Sequence, residues 1–152
     1  MKTRLRSKAQ IGSALMEALV ALVVFSFGAL ALLGLQAASI KNSGDAKYRS
    51  EASYLANQIV AQMWVDRSNI DAYEHFATGL VCSFTGSASA NANVTGWATQ
   101  ISSLLPGVSA SRTQIQVTTP VANTKQVKVT VCWQTPQDSA ARNFVTTAQI
   151  NQ

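Results

Sequence analysis

Charge of either sign is scarce in this chain of 152 residues, which carries twelve Lys and Arg and seven Asp and Glu. From Ala18 to Leu35 there is none, in the run ALVALVVFSFGALALLGL, and no acid precedes Gly12. Histidine is represented once, by His75, so a histidine-based metal cluster cannot form. No Gly-rich phosphate loop follows a strand. No local set of Ser, His and Asp suggests nucleophilic catalysis. The expectation is a protein that is not an enzyme, with no catalytic residue, no metal and no cofactor. Asp71 and Glu74, next to His75, read as a solvated helix end rather than an ion site. Asn93-Val94-Thr95 matches a glycosylation acceptor, read here as chance in a segment rich in Asn and Thr. Trp64, Trp97 and Trp133 read as core or interface residues.

The charges that are present have a pattern. Lys2, Arg4, Arg6 and Lys8 all precede Gly12, and removing those four from the net +5 leaves +1. The basic balance therefore belongs to the leader. The cations further on, Arg112, Lys125, Lys128 and Arg142, are scattered and make no basic face, so no direct nucleic-acid role is expected.

A helix needs about 20 apolar residues to cross a bilayer, and Leu15 to Leu35 qualifies. The excess of Lys and Arg before it predicts a cytoplasmic N-terminus. The chain beyond Leu35 would then lie in the periplasm or outside the cell. A secretory signal peptide is the competing reading, with Ala37-Ala38-Ser39 as a weak cleavage site. Against it, the helical pattern continues. Ser39 to Val65 contains no proline, and Tyr48, Ala52, Leu55, Ile59 and Met63 step by three or four along one face. One helix from about Ser13 to about Asp66 is predicted, roughly 80 Å long at 1.5 Å per residue. Its first half is apolar all round, and its second half is amphipathic.

Glu17 is an acid at the start of the apolar run, where charge is costly unless paired or functional. A hydrated position near the cytoplasmic interface is the plainer account. The whole arrangement is a short basic leader, Gly12, then Ser13-Ala14-Leu15-Met16-Glu17 and an unbroken apolar helix. It resembles the type IV prepilin class, including the pseudopilins of type II secretion. The stretches EALVALVVFSFGALALLGLQ and SEASYLANQIVAQMWVDRSN are most similar to the minor pilins called PilV. The specific resemblance covers Gly12 to Asn69.

The resemblance implies cleavage by prepilin peptidase between Gly12 and Ser13 and N-methylation of Ser13. It also implies that Glu17, fifth from the new terminus, serves assembly. In a packed fibre its carboxylate would meet the amine of a neighbour's Ser13, a pairing that contributes register more surely than stability. Two positions depart from the family's pattern. Ser13 stands where Phe or Met is usual, and Ala14 where Thr or Ser is common. These departures bear on methylation more than on cleavage, which depends chiefly on Gly12.

The expected organisation is a leader at 1–12, a long helix at 13–66 that spans the membrane in 15–35, and a small α+β head at 67–152. From Ser68 to Gly96 the chain reads as loop-rich, with Thr85–Gly96 (TGSASANANVTG) the expected mobile segment. Trp97–Leu105 reads as a short helix ended by Pro106-Gly107. Arg112–Thr119, Gln126–Trp133 and Asn143–Ile150 read as three strands, with turns at Pro120–Thr124 and Pro136–Ala141. A small antiparallel sheet packed on the amphipathic half of the helix would bury both apolar faces. The fold class is thus α+β and, on the resemblance, pilin-like. Cys132 falls on the strand face opposite Val131 and Trp133, within reach of Cys82. A disulfide between them in an oxidising compartment would close a loop of about 50 residues and stabilise on the order of 4 kcal/mol. Unpaired thiols, with Cys132 buried, are the alternative.

The leading functional expectation is a minor pilin that takes part in type IV pilus assembly or initiation. Its partners would be major and minor pilins through the N-terminal helix, prepilin peptidase, and the inner membrane before assembly. The chain would then reach the pilus or cell surface. A minor pseudopilin of a type II secretion system shares the same helix and processing. A membrane-anchored or secreted periplasmic binding protein is the alternative of a different class.

Overall fold

The computed structural model describes residues 10–151. Most of the segment 1–12, expected to be a leader, lies outside the described residues, and its last three positions are helical. The architecture is α+β: one long N-terminal helix with a small antiparallel sheet packed against it, consistent with a pilin-like fold. Helix α1 runs Gln10–Val65, against the expected 13–66. The chain divides into two compact units, Met1–Gly44 and Asp45–Gln152, and α1 contributes to both.

In the first unit, α1 has no apolar partner. From Ser13 to Gln36 every side chain is exposed except the half-buried Ala29. Its most apolar 18-residue window has a mean hydropathy of 2.6 and is 0% buried. By length and composition this helix can cross a membrane. Its one hydroxyl in the uncharged run is satisfied internally: Ser26 Oγ donates to the Leu22 carbonyl at 2.7 Å.

In the second unit the same helix turns a face inward. Ala52, Leu55, Ala56, Ile59 and Met63 are fully buried, and Tyr48 and Val60 pack beside them. This is the face expected from the spacing. It shares one core with Val94, Trp97 and Ile101, with Ile115, Val127, Val129, Val131, Trp133 and Ile150, and with Ile70 and Tyr73. Burying one such side chain is worth about 1.5–3 kcal/mol. A polar bond fixes the seam, since the Trp97 indole N–H donates to the Leu55 carbonyl at 2.9 Å.

After α1, a 3-10 segment Arg67–Tyr73 leads to a hairpin of β1 (Thr78–Leu80) and β2 (Ser83–Thr85). Helix α2 comes next at Ala92–Leu104, then β3 (Thr113–Val121), β4 (Thr124–Trp133) and β5 (Arg142–Asn151). The three long strands form one antiparallel sheet in the order β3-β4-β5. Their expected positions hold to within two residues at every end. Alternation places Val127, Val129, Val131 and Trp133 on the core face, with Val117, Ile115 and Thr113 of β3 opposite the first three. The β3 register slips between Thr118 and Val121, at Pro120, which has no N–H to give a ladder.

Two local expectations change. Helix α2 starts five residues before Trp97, because Asn91 caps it and accepts from the Asn93 backbone N–H at 2.9 Å. The last part of Thr85–Gly96 is therefore helix rather than loop, and Val94 within it is buried. The loop-rich reading of Ser68–Gly96 also missed the β1–β2 hairpin, whose Phe84 is buried. Helix α2 ends before Pro106-Gly107, as expected. Gly107 has φ 64°, and a Cβ there would collide with the Gln134 carbonyl, so glycine is required at that stop.

Candidate functional site

The residues singled out at the N-terminal end all lie on α1. Gly12 and Ser13 fall within its first turns, and Glu17 lies one turn later. Ser13 and Glu17 are exposed, and Glu17 forms no ion pair among the described residues. The carboxylate stands at the border of a helix surface made of Leu15, Met16, Leu19, Val20, Leu22 and Val23, each more than half exposed. A surface of that size and composition needs a cover, either lipid or other apolar helices.

The two cysteines meet. Cys82 and Cys132 form a disulfide with Cα atoms 5.5 Å apart. Cys132 lies on the sheet face away from Val131 and Trp133, as the alternation predicts, and is itself fully buried. Gln114 and Thr130 on that same face are buried too. Gln114 Nε2 donates to the Phe76 carbonyl at 3.1 Å. The disulfide and this bond tie residues 76–85 over the outer face of the sheet, where a short hairpin alone would be marginal.

His75, next to the Asp71 and Glu74 read as a solvated helix end, is itself buried. It is only 4% exposed. Its backbone exchanges two 2.9 Å hydrogen bonds with Ile115 on the edge of β3. Nδ1 accepts from the Ser89 N–H at 3.1 Å, and Nε2 lies 3.3 Å from Thr113 Oγ1. Since Nδ1 accepts, Nε2 carries the proton and donates to Thr113, which gives its own hydroxyl hydrogen to the Ala110 carbonyl at 3.1 Å. Burial holds the His75 pKa below its usual value. Asp71 is turned elsewhere, into an ion pair with Lys125 at 2.8 Å. The three residues therefore do not converge on an ion, and no metal-ligating group of three or more occurs among the described residues.

A second polar cluster closes the end of α1. Asp66 accepts from Asn69 at 2.7 Å and from the Tyr73 hydroxyl at 3.2 Å, and that hydroxyl accepts from Asn93 Nδ2 at 2.7 Å. Burial, first, and Asp66 raise the Tyr73 pKa against the lowering effect of Asn93. The amide nitrogen that a glycan would occupy is thus committed to a tyrosine. Trp97 and Trp133 are core residues at 3% and 2% exposure, whereas Trp64 is half exposed.

Sequence reasoning missed Arg142. Its Nε and Nη2 bind both oxygens of Asp138 at 3.0 and 2.9 Å, and Nη1 reaches Asp45 on α1 at 2.9 Å. The hydrogen bonds from Arg142 and Thr135 hold the Asp138 carboxyl at about 2, and the same bond to Asp138 raises Arg142. Asp45 and Arg142 are distant in sequence, and no local pattern joins them.

No family model, curated protein or solved structure matches this chain.

Proposed function

We propose that this protein is a minor pilin, a structural subunit of the type IV prepilin class that takes part in pilus assembly or initiation. The observation that carries the reading is the division of α1. One continuous helical sequence is wholly unpartnered and apolar around Glu17 and fully committed to a disulfide-bonded head further on. A cleavable signal would not need to share its helix with the core of the domain it exports. In this reading prepilin peptidase cuts between Gly12 and Ser13, and Ser13 is then methylated. The helix waits in the inner membrane with its N-terminus in the cytoplasm and the head in the periplasm. Other pilins then replace lipid against Leu15–Leu35, and Glu17 meets the amine of a neighbour's Ser13 in a low-dielectric setting. Such a pair sets axial register, because an unpaired acid among apolar helices is costly. The mature subunit ends at the pilus or cell surface. A minor pseudopilin of type II secretion would use the same helix in a different fibre.

The test is incorporation. In cells that make fibres, Glu17→Ala should leave the chain processed and membrane-bound but deplete it from sheared surface fibres. Wild-type abundance of the variant in those fibres would refute the pairing role. Absence of the wild-type chain from both sheared fibres and the secretion pseudopilus would refute the fibre reading itself.

A further inference from the structure

The sheet β3-β4-β5 has two edges, and one of them is blunted. On β3, the backbone of Ile115 exchanges two hydrogen bonds with His75, and the register slips beside Pro120. Neither device occurs on β5. It pairs with β4 without a slip from end to end, and Asn143–Asn151 (NFVTTAQIN) holds no charge and no proline. Natural edges are shortened, charged, kinked or covered, because a row of unpaired backbone groups is a template for another strand. Which groups are unpaired follows from the pairing. Ile115 gives its N–H and C=O to His75, so its pair with Val129 is a non-hydrogen-bonded one. Val129 then turns its groups toward Thr146. Along β5, Phe144, Thr146 and Ala148 therefore bond to β4, while Val145, Thr147 and Gln149 point their N–H and C=O away from it. No hydrogen bond reaches those outward groups among the described residues. The core face is open on the same strand. Phe144, Thr146 and Ala148 are half-buried, whereas Val131, Val129 and Val127 opposite them on β4 are fully buried.

We propose that the free edge of β5 accepts an extended segment of a different protein subunit, which adds a strand to the sheet. Backbone hydrogen bonds to Val145, Thr147 and Gln149 hold the segment, and its alternate side chains, set beside Phe144 and Ala148, are apolar. A charge on it would meet no partner along Asn143–Asn151, so the segment is uncharged where it lies on β5. A second copy of this chain is the poorer occupant. Arg142 at the start of β5 meets Asp45, early in the head part of α1. The other end of β5 pairs with Thr124, beside Lys125, which reaches Asp71 beyond the end of α1. Strand β5 and that part of α1 thus run the same way. A symmetric pair of β5 edges is antiparallel and would set the two helices in opposite directions, whereas subunits of one fibre share a direction. That last step alone rests on the pilin reading.

The test uses the full ¹⁵N-labelled chain in detergent micelles, with hydrogen exchange read amide by amide. The probe is a peptide that alternates Thr and Val between terminal lysines, acetyl-Lys-Thr-Val-Thr-Val-Thr-Val-Thr-Lys-amide. In the chain alone, the amides of Val145, Thr147 and Gln149 should exchange fast, and those of Phe144, Thr146 and Ala148 slowly. The peptide should slow the first set saturably, by at least about tenfold, and leave the second set unchanged. Replacing its Val residues by Asn should weaken binding about tenfold. N-methylation of one alternate set of peptide amides should abolish binding, and N-methylation of the other set should spare it. Thr147→Pro removes an N–H that points away from β4, so it should keep the slow set slow and abolish peptide binding. Should that variant lose the slow set, the peptide series on the unaltered chain decides. An unmoved first set, full binding by the Asn peptide, equal effects of the two N-methylated peptides, or full binding by a folded Thr147→Pro would each overturn the proposal. So would a dimer of the chain alone with the first set already slow, which assigns the edge to a second copy. None of these readouts involves fibre incorporation, so a failure here is separate from a failure of the pilin reading.

Discussion

The two halves of α1 share a backbone conformation and little else. Around Ala18–Leu35 the helix is uncharged and apolar on every side, and every side chain but the half-buried Ala29 is exposed. Around Tyr48–Met63 they are apolar on one side, and that side is buried. The difference shows what decides a helix's role. Propensity permits both halves, but the width of the apolar surface selects the partner. A stripe is filled by one folded domain, whereas a full cylinder can only be covered from all around, by lipid or by other helices. Substitutions in the two halves should therefore fail differently.

The largest effect is expected in the head half. Leu55→Ala removes a fully buried side chain and should cost about 2–5 kcal/mol in urea unfolding of the head. The corresponding change in the other half, Leu22→Ala, should leave that unfolding curve unmoved. A cost of Leu22→Ala comparable to that of Leu55→Ala would erase the distinction.

Next comes the cross-link. Replacing both Cys82 and Cys132 by Ala should lower head stability by roughly 2–5 kcal/mol. The first protection lost in hydrogen exchange should be at residues 76–85, which the disulfide ties to the sheet. Loss beginning instead in β4 and β5 would show that the bridge supports the core rather than its cover.

Acid should have a smaller effect. The folded-state pKa of His75 is below its usual 6.5, so the unfolded chain binds its proton first as pH falls. The stability this group contributes is complete above roughly pH 6.5, declines below it, and levels off beneath the folded pKa. His75→Gln should flatten that part of the profile measured by urea midpoint between about pH 8 and pH 5. Asp138 acts in a lower window with the opposite charge. Its pKa is held at about 2, below the usual 3.8, so its contribution is present above the usual value and is lost as pH falls toward 2.

Much of this was legible in sequence, for identifiable reasons. The helix face Tyr48–Met63 and the strands from Arg112 onward obey fixed periods of about 3.6 and 2, and the residues on their core faces are those the periods select, whereas Gln114, Thr130 and Cys132 are buried on the other face, which alternation alone would leave open. The face of Cys132 came from the same alternation. The β1–β2 hairpin was not legible, because three-residue strands are too short to show a period. Asn91 as a cap was hidden in a run of small polar residues that also reads as loop. His75 and Arg142 owe their roles to partners far along the chain: Ile115, Ser89 and Thr113 for the first, Asp45 for the second. Only the folded arrangement brings those together.

Everything proposed for the fibre depends on the apolar half of α1 being kept in the mature protein and beginning at Ser13. Intact-mass and N-terminal peptide analysis of the chain purified from membranes and from sheared fibres decides this. The expected product starts at Ser13, with or without a methyl group on its amine. A protein starting near Ser39, or one retaining Met1 and the basic leader, would contradict it.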